Sequence, residues 1–428
     1  MPKYVIGYDL NDTVSQITYS QLNTRLMQTM YTVNSDNTEE RLGVPSVLCK
    51  RSGVNQWYYG DDANEVSRRG EGTLVGKLIS FAKAGAKLEI EGEAYDPVDL
   101  IILFIKRSLN VIDPRITPDD VAKLVFTVDV LDERMITILN KACSALSVDK
   151  NVIEFQSYDE SIYYYTIHQP EEVWEHEVCV YDYSFDYLKL YNMRLNRNTT
   201  PVVGVVDKTE HTNIKLPQFM MNGEISEEKS QRLDELFLQT VHDDFAGHVV
   251  GTVLLIGDGF SNSWCDKTLK YLCMGRRVFQ GKNLYSKGAC FAAADRTTDT
   301  FLNEKYIYLG HDKLKGNTGI SMRVKGKDQY VVLADAGETY YTSKVDMEFI
   351  LEKGNSVSVI VTPLNGSGAR EEIVELIGLP RRPERATRLR LEADFKSDVD
   401  MLVKIHDLGF GEFYQSSGKI WEKEIKLT

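Results

Sequence analysis

The chain uses one grammar twice. "YVIGYDL" (4–10) is an apolar strand running into a turn at Asp9, and "SQITY" (15–19) alternates so that it pairs back as a hairpin. "VCVYDYSFDYLKLYN" (178–192) is a second strand, tight turn and strand, with Asp182 at the same point of the motif. Each hairpin is followed by helix and buried strand. In the first half these are "DPVDLIILFIKRSLNVI" (96–112), "KLVFTVDVL" (123–131) and "DERMITILNKACSALSV" (132–148). Asp96 is placed to cap the first helix, with Pro97 at its first position. Met135, Ile138, Leu139, Ala142 and Leu146 share one side of the second. In the second half a helix over 226–245, opened by Ser-x-x-Lys, precedes the strand "GTVLLIGDGF" (251–260) and a helix to about residue 273. "VPSVLCKR" and "QWYYGDDA" (44–63) read as two further strands. The repetition predicts a duplicated α/β body with a cleft between its halves.

After about residue 305 the pattern becomes that of a small all-β domain. "KVDMEFIL" (344–351), "SVSVIVTPL" (356–364), "TRLRLEADF" (387–395) and "MLVKIHDL" (401–408) alternate apolar and polar residues between turn signals, and "KLKGNTGIS" (313–321) reads as a loop whose glycines are turn residues. A chain of 428 residues exceeds a single core, which agrees with more than one domain. The net charge of −13 disfavours nucleic-acid or membrane partners, which require a basic face. The longest apolar run, "LIILFI" (100–105), is too short to span a bilayer. No basic leader with a long apolar stretch opens the sequence, so a cytoplasmic location is expected. The six cysteines form no CxxC pair and read as buried thiols; the histidines lack metal-ligand spacing.

The order of turns resembles the actin-like ATPase fold, and most closely the seventy-kilodalton heat-shock chaperones. "VIGYDLNDTVSQI" stands where that family has its first phosphate turn and "VYDYSFDYLKLY" where it has its second. "VLLIGDGFSNSWCDKTLKYL" stands at the adenosine turn, and "NLYSKGACFAAA" (283–294) at the second connecting helix. "VELIGLPRRPERATRLRLEADF" and "DMLVKIHDLGFGEFYQSSGKIWEKEIKL" resemble the family's β-sandwich substrate domain, which other actin-like proteins lack. The resemblance implies a nucleotide-binding body over 1–304, with lobes at about 1–170 and 171–304 and a reduced adenine-side subdomain. It implies a β-sandwich over 305–428 that contacts a protein or peptide, with no helical lid. It also implies ATP or ADP with Mg²⁺ in the cleft. Asp9 and Asp182 would orient the hydrated metal, Lys77 and Glu160 would serve catalysis, and Asn11, Asp12, Thr13, Gly257, Asp258 and Gly259 would line the nucleotide.

The departures from that pattern point the other way. The first turn reads Leu10-Asn11-Asp12-Thr13 where the family keeps a glycine, a change that is survivable because asparagine tolerates a left-handed backbone. An Asp12 carboxylate about 4 Å from a phosphate would cost about 4 kcal/mol at an effective dielectric near 20. In the second turn Tyr183-Ser184-Phe185 replaces consecutive glycines whose N–H groups would cradle phosphate. The expectation is therefore a chaperone-like protein-binding module with a degenerate nucleotide cleft. Its rivals are a working ATPase of the same fold and a structural scaffold. For three site residues a plain reading stands beside the functional one: Asp9 as a turn cap, Asp182 as a strand end and Lys77 as a surface lysine. The run "RRPERATRLR" reads as a solvated strand edge, against the rival of an acidic-partner patch.

Overall fold

The computed structural model describes residues 3–428, except 23, 25, 34–39, 86, 111, 113–115, 185, 216–225, 299–300, 342 and 365. The architecture is mixed α/β, and the chain divides into two compact units, Met1–Tyr306 and Ile307–Thr428.

The first unit contains two large sheets. In one, β1 (Tyr4–Asp9), β2 (Val14–Gln21) and β3 (Met27–Thr29) form an antiparallel meander, while β4 (Val121–Val128) and β5 (Ile153–Ser157) add in parallel on the other side of β1. The order is β5-β4-β1-β2-β3. In the other, β6 (Glu177–Asp182), β7 (Tyr187–Asn196) and β8 (Val202–Lys215) make the meander. β9 (Val250–Ile256) and β10 (Arg277–Gly281) add in parallel, giving the order β10-β9-β6-β7-β8. Order and strand sense are the same in both, and Asp9 and Asp182 are the last residues of the corresponding strands β1 and β6.

Eight helices position the site: α1 (Gly60–Arg68), α2 (Leu78–Ala84), α3 (Pro97–Leu109), α4 (Glu133–Ser144), α5 (Tyr158–Ile167), α6 (Glu227–Asp244), α7 (Asp266–Leu272) and α8 (Leu284–Asp295). Asp96 and Asp132 cap α3 and α4 by accepting the Val98 and Met135 N–H groups at 2.9 and 2.8 Å. α3 and α4 bury Phe104, Ile105, Ile138 and Leu139 against Ile6, Tyr8 and Phe126 of the first sheet. α6 and α7 cover the second sheet, where Phe237 and Leu272 join Tyr181, Tyr183, Phe260 and Trp264. α5 follows directly on β5, and α8 on the turn after β10. These two helices meet at Gly288, where a Cβ would collide with the Ser161 carbonyl. Only glycine lets their N-terminal ends approach so closely.

Two local expectations give way. The strand expected through Ala63 stops at Tyr59, and α1 begins at Gly60 with φ 60°, a conformation glycine adopts without penalty. Asp61 and Asp62 then lie in the first turn of α1, where the helix dipole favours carboxylates. Leu146 falls beyond the end of α4, because the helix closes at Ser144.

The second unit consists of two four-stranded antiparallel sheets on a shared core. One runs Lys327–Ala334, Gly316–Val324, Ser356–Pro363, Arg370–Glu375; the other runs Lys344–Ile350, Arg388–Phe395, Asp400–Gly409, Ile420–Lys426. Val359, Val361, Leu391, Val403 and Ile405 fill that core, with period-two burial along the strands. Residues 316–321, read from sequence as a loop, are strand. Gly319 leaves room there for the Tyr330 ring, which lies against its backbone. The arginine run is neutralised from within. Arg382 makes two 2.7 Å hydrogen bonds to the buried Asp407, whose carboxyl they hold far below the usual carboxylate range against the upward push of burial. Arg385, Arg388 and Arg390 face Glu352, Glu348 and Asp346.

Among the described residues no helix is long and apolar enough to cross a membrane.

Candidate functional site

The corresponding ends of β1 and β6 carry the chemistry of the first unit. Asp9 is 3% exposed and Asp182 is fully buried. Each takes a hydrogen bond from a tyrosine at the start of a helix. Tyr158 Oη, in the first turn of α5, donates to Asp9 Oδ1 at 2.6 Å. Tyr285 Oη, in the first turn of α8, donates to Asp182 Oδ2 at 2.6 Å. The two rings stack face to face, with centroids 3.6 Å apart and planes 9° from parallel. A continuous chain therefore runs carboxylate, phenol, stacked phenol, carboxylate from one sheet to the other.

Further contacts close the same seam. Asp129, just past β4, receives Lys189 Nζ of β7 at 2.7 Å and Lys208 Nζ of β8 at 3.1 Å. Tyr191 Oη of β7 donates to Asp129 at 3.3 Å, and its ring meets Tyr285 edge-on. Burial pushes the Asp129 carboxyl up, but the two ammonium groups outweigh it and hold it below the usual range. Among the described residues neither Asp9 nor Asp182 forms an ion pair, although the nearby Lys189 charge also favours ionised Asp182. Burial raises Asp9 to about 7 despite the hydrogen bonds from Tyr158 and Asn11, and the Asp182 and Asp129 charges add to the rise. Burial also raises Asp182, with Ser184 and Tyr285 opposing it. Desolvation and the neighbouring carboxylates drive both phenols well above their ordinary range, so they remain donors.

The other residues singled out in the sequence are engaged locally. Asn11 is not left-handed. Its Oδ1 accepts the N–H groups of Thr13 and Val14 at 2.9 Å each and the Thr13 hydroxyl at 2.9 Å, forming an Asx turn. Asp12 points to the start of α2, where it accepts the N–H of Ile79 at 2.7 Å and of Ser80 at 3.1 Å. The carboxylate that looked like a phosphate-repelling charge is thus a helix cap supplied from a distant turn. Lys77 is exposed and occupies the left-handed region at φ 51°, directly before α2. Glu160 is 1% exposed and pairs with Arg296 Nη2 at 2.6 Å; Arg296 also reaches Glu154 at 2.9 Å. Although burial opposes it, the Glu160 carboxylate keeps the Arg296 guanidinium firmly charged. Gly257 has φ 98° and lies so close to Ser184 that any Cβ would clash. Gly259 abuts the Tyr183 ring, and its N–H donates to the Tyr183 carbonyl at 3.0 Å. Asp258 is exposed between them. Phe185 lies outside the described residues.

The structure thus brings Asp9 and Asp182 to one seam, sets Lys77 and Asp12 at α2, and ties Glu160 into an ion-pair cluster. Sequence reasoning did not select Tyr158, Tyr285, Tyr191, Asp129, Lys189 or Arg296. One signal was present: "SYDES" and "NLYSK" place a tyrosine at the head of each of two corresponding helices. Both carboxylates are buried and already accept phenol hydroxyls. Among the described residues no three His, Cys, Asp or Glu side chains converge as a metal set.

Residues 29–311 match the model described as "Family of unknown function (DUF5716) C-terminal", and residues 313–427 match "Domain of unknown function (DUF8552)". No curated protein matches the chain.

Proposed function

The chain belongs to the DUF5716 C-terminal family, of unknown function, and on that premise we propose a nucleotide-independent, heat-shock-chaperone-like binding protein. In this reading the first unit is a duplicated actin-like body and the second is the surface that holds a protein or peptide. Two features support the duplicated body: the same order and sense of five strands in each sheet, and the close meeting of helices α5 and α8 at Gly288. The single observation that carries the loss of nucleotide dependence is the Tyr158–Tyr285 stack between Asp9 and Asp182. In an actin-like body that seam is where Mg-ATP would lie. Here aromatic rings fill it, the turn N–H groups of Thr13, Val14 and Gly259 serve Asn11 Oδ1 and the Tyr183 carbonyl in place of phosphate, and Asp12 caps α2. Salt links from Asp129 to Lys189 and Lys208 hold the halves together, so the body acts as a rigid platform.

The test is a holdase assay. Aggregation of a chemically denatured client is followed by light scattering with the full chain, with and without Mg-ATP. Suppression that is equal in both conditions supports the proposal. Release of client only with Mg-ATP would establish the rival ATPase, and failure to suppress aggregation in either condition would refute client binding.

A further inference from the structure

Aromatic rings that pack for stability alone settle offset or edge-on, with centroids about 4.5–7 Å apart. Tyr158 and Tyr285 do neither. Their centroids are 3.6 Å apart and their planes 9° from parallel, so the ring atoms of one lie over those of the other. Two negative π-faces set against each other repel, and the overlap is held from outside the pair. Asp9 and Asp182 each take one hydroxyl at 2.6 Å, and α5 and α8 touch at Gly288. Overlapped rings share a positive hole, which makes an electron easier to remove from the pair than from a lone phenol. The carboxylate on each hydroxyl stands within reach of the proton that an oxidised phenol gives up.

Both rings are buried, and further rings lead outward along β7. Tyr191 meets Tyr285 edge-on, with centroids 6.5 Å apart. Tyr187 is half-buried and lies four residues back along the strand, about 13 Å away. Lys189 stands between them: its Nζ lies over the Tyr187 ring and shares Asp129 with Tyr191. We propose that Tyr158 and Tyr285 form an oxidative cross-linking site, where two equivalents of a one-electron oxidant, such as the ferryl haem of a peroxidase, join the rings through their ortho carbons. Each phenol passes an electron outward and its hydroxyl proton to its own carboxylate, Tyr158 to Asp9 and Tyr285 to Asp182. The two phenoxyl radicals couple through their facing π-systems into one carbon–carbon bond. The two ortho hydrogens then leave as protons, two protons return to the oxygens, and both rings regain aromaticity. In net terms the chain loses two hydrogen atoms and two oxidant equivalents are reduced. The product ties α5 to α8 covalently. Cross-linking needs the stack but not the loss of nucleotide dependence, which nucleotide titration tests separately.

The test treats the full chain with photo-oxidised ruthenium tris-bipyridyl and persulfate, a one-electron oxidant that works alike in buffer and in urea. The monomeric fraction is digested and read by mass spectrometry. In buffer the peptides carrying Tyr158 and Tyr285 should be linked, with the loss of two hydrogens and with dityrosine fluorescence. Unfolding in urea should lower the yield of that pair by about tenfold or more, because the fold supplies the overlap. Tyr158→Phe and Tyr285→Phe should each abolish the pair and leave oxidation of the exposed Tyr31 and Tyr330 unchanged. Asp9→Asn keeps an acceptor for Tyr158 but cannot take its proton, and should slow cross-linking severalfold. An unchanged rate in that variant would overturn the proton transfer on which the step depends. A native chain in which Tyr31 and Tyr330 are oxidised while no Tyr158–Tyr285 pair forms would overturn the proposal. So would a pair that forms as readily in urea as in buffer.

Discussion

At the scale of single residues, the account turns on two buried carboxylates that each accept a hydrogen bond from a phenol. Removing one phenol hydroxyl leaves a buried acceptor short of a donor, so Tyr158→Phe and Tyr285→Phe should each cost about 1–3 kcal/mol in urea unfolding. The raised affinity of Asp9 for its proton sets a pH dependence. Its folded value, about 7, lies above the unfolded 3.8. The stability this group contributes is therefore complete below pH 3.8 and lost as pH rises through about 7. Wild type should lose ground to Asp9→Asn between pH 5 and pH 8, by a few kcal/mol in urea midpoints converted to free energy. A wild type that gains on the variant over that range would mean Asp9 is favoured as an anion. Asp12 offers a sharper contrast. As a helix cap, Asp12→Ala should cost about 1 kcal/mol and change no nucleotide response; as a phosphate-repelling charge, its removal should create affinity for ATP. Asp9 and Asp182 were legible in the sequence because both end apolar strands at turns. Their tyrosine partners are 149 and 103 positions away, and no local pattern records such a pairing.

At the scale of elements, α5 and α8 hold the tyrosines in register because Gly288 lets the helices touch. Gly288→Val should drive them apart, costing more than about 3 kcal/mol by overpacking, and should weaken the near-ultraviolet circular dichroism of the stacked rings. A variant that keeps both stability and signal would show that the close approach is not what aligns the stack. Helix α3 was readable from its Asp96 cap and Pro97, and α4 from its 3.6-residue apolar stripe. α1 was not: its nine residues follow a short strand without a break, and only the left-handed Gly60 separates the two. The strand at Gly316–Val324 was missed for a related reason. Its glycines read as turn residues, whereas Gly319 serves to admit the Tyr330 ring from the neighbouring strand. In both cases glycine carries a tertiary meaning that a local reading takes for punctuation.

At the scale of the whole molecule, the second unit draws its core entirely from residues between Leu314 and Leu427. A separately expressed 307–428 segment should unfold in one cooperative urea transition; a featureless melt would mean that its core is incomplete. The arginine run within it is balanced by facing acids, so its net appearance as a basic patch vanishes in the fold. For the first unit the repeated strand grammar was visible from sequence, yet the stack that occupies its seam was not, since it arises only when both halves are folded together. The most direct measurement is calorimetric titration of the intact chain with Mg-ATP and Mg-ADP. A seam filled by Tyr158 and Tyr285 predicts no saturable heat at millimolar nucleotide. Saturable micromolar binding that Lys77→Ala or Asp182→Asn weakens would contradict it.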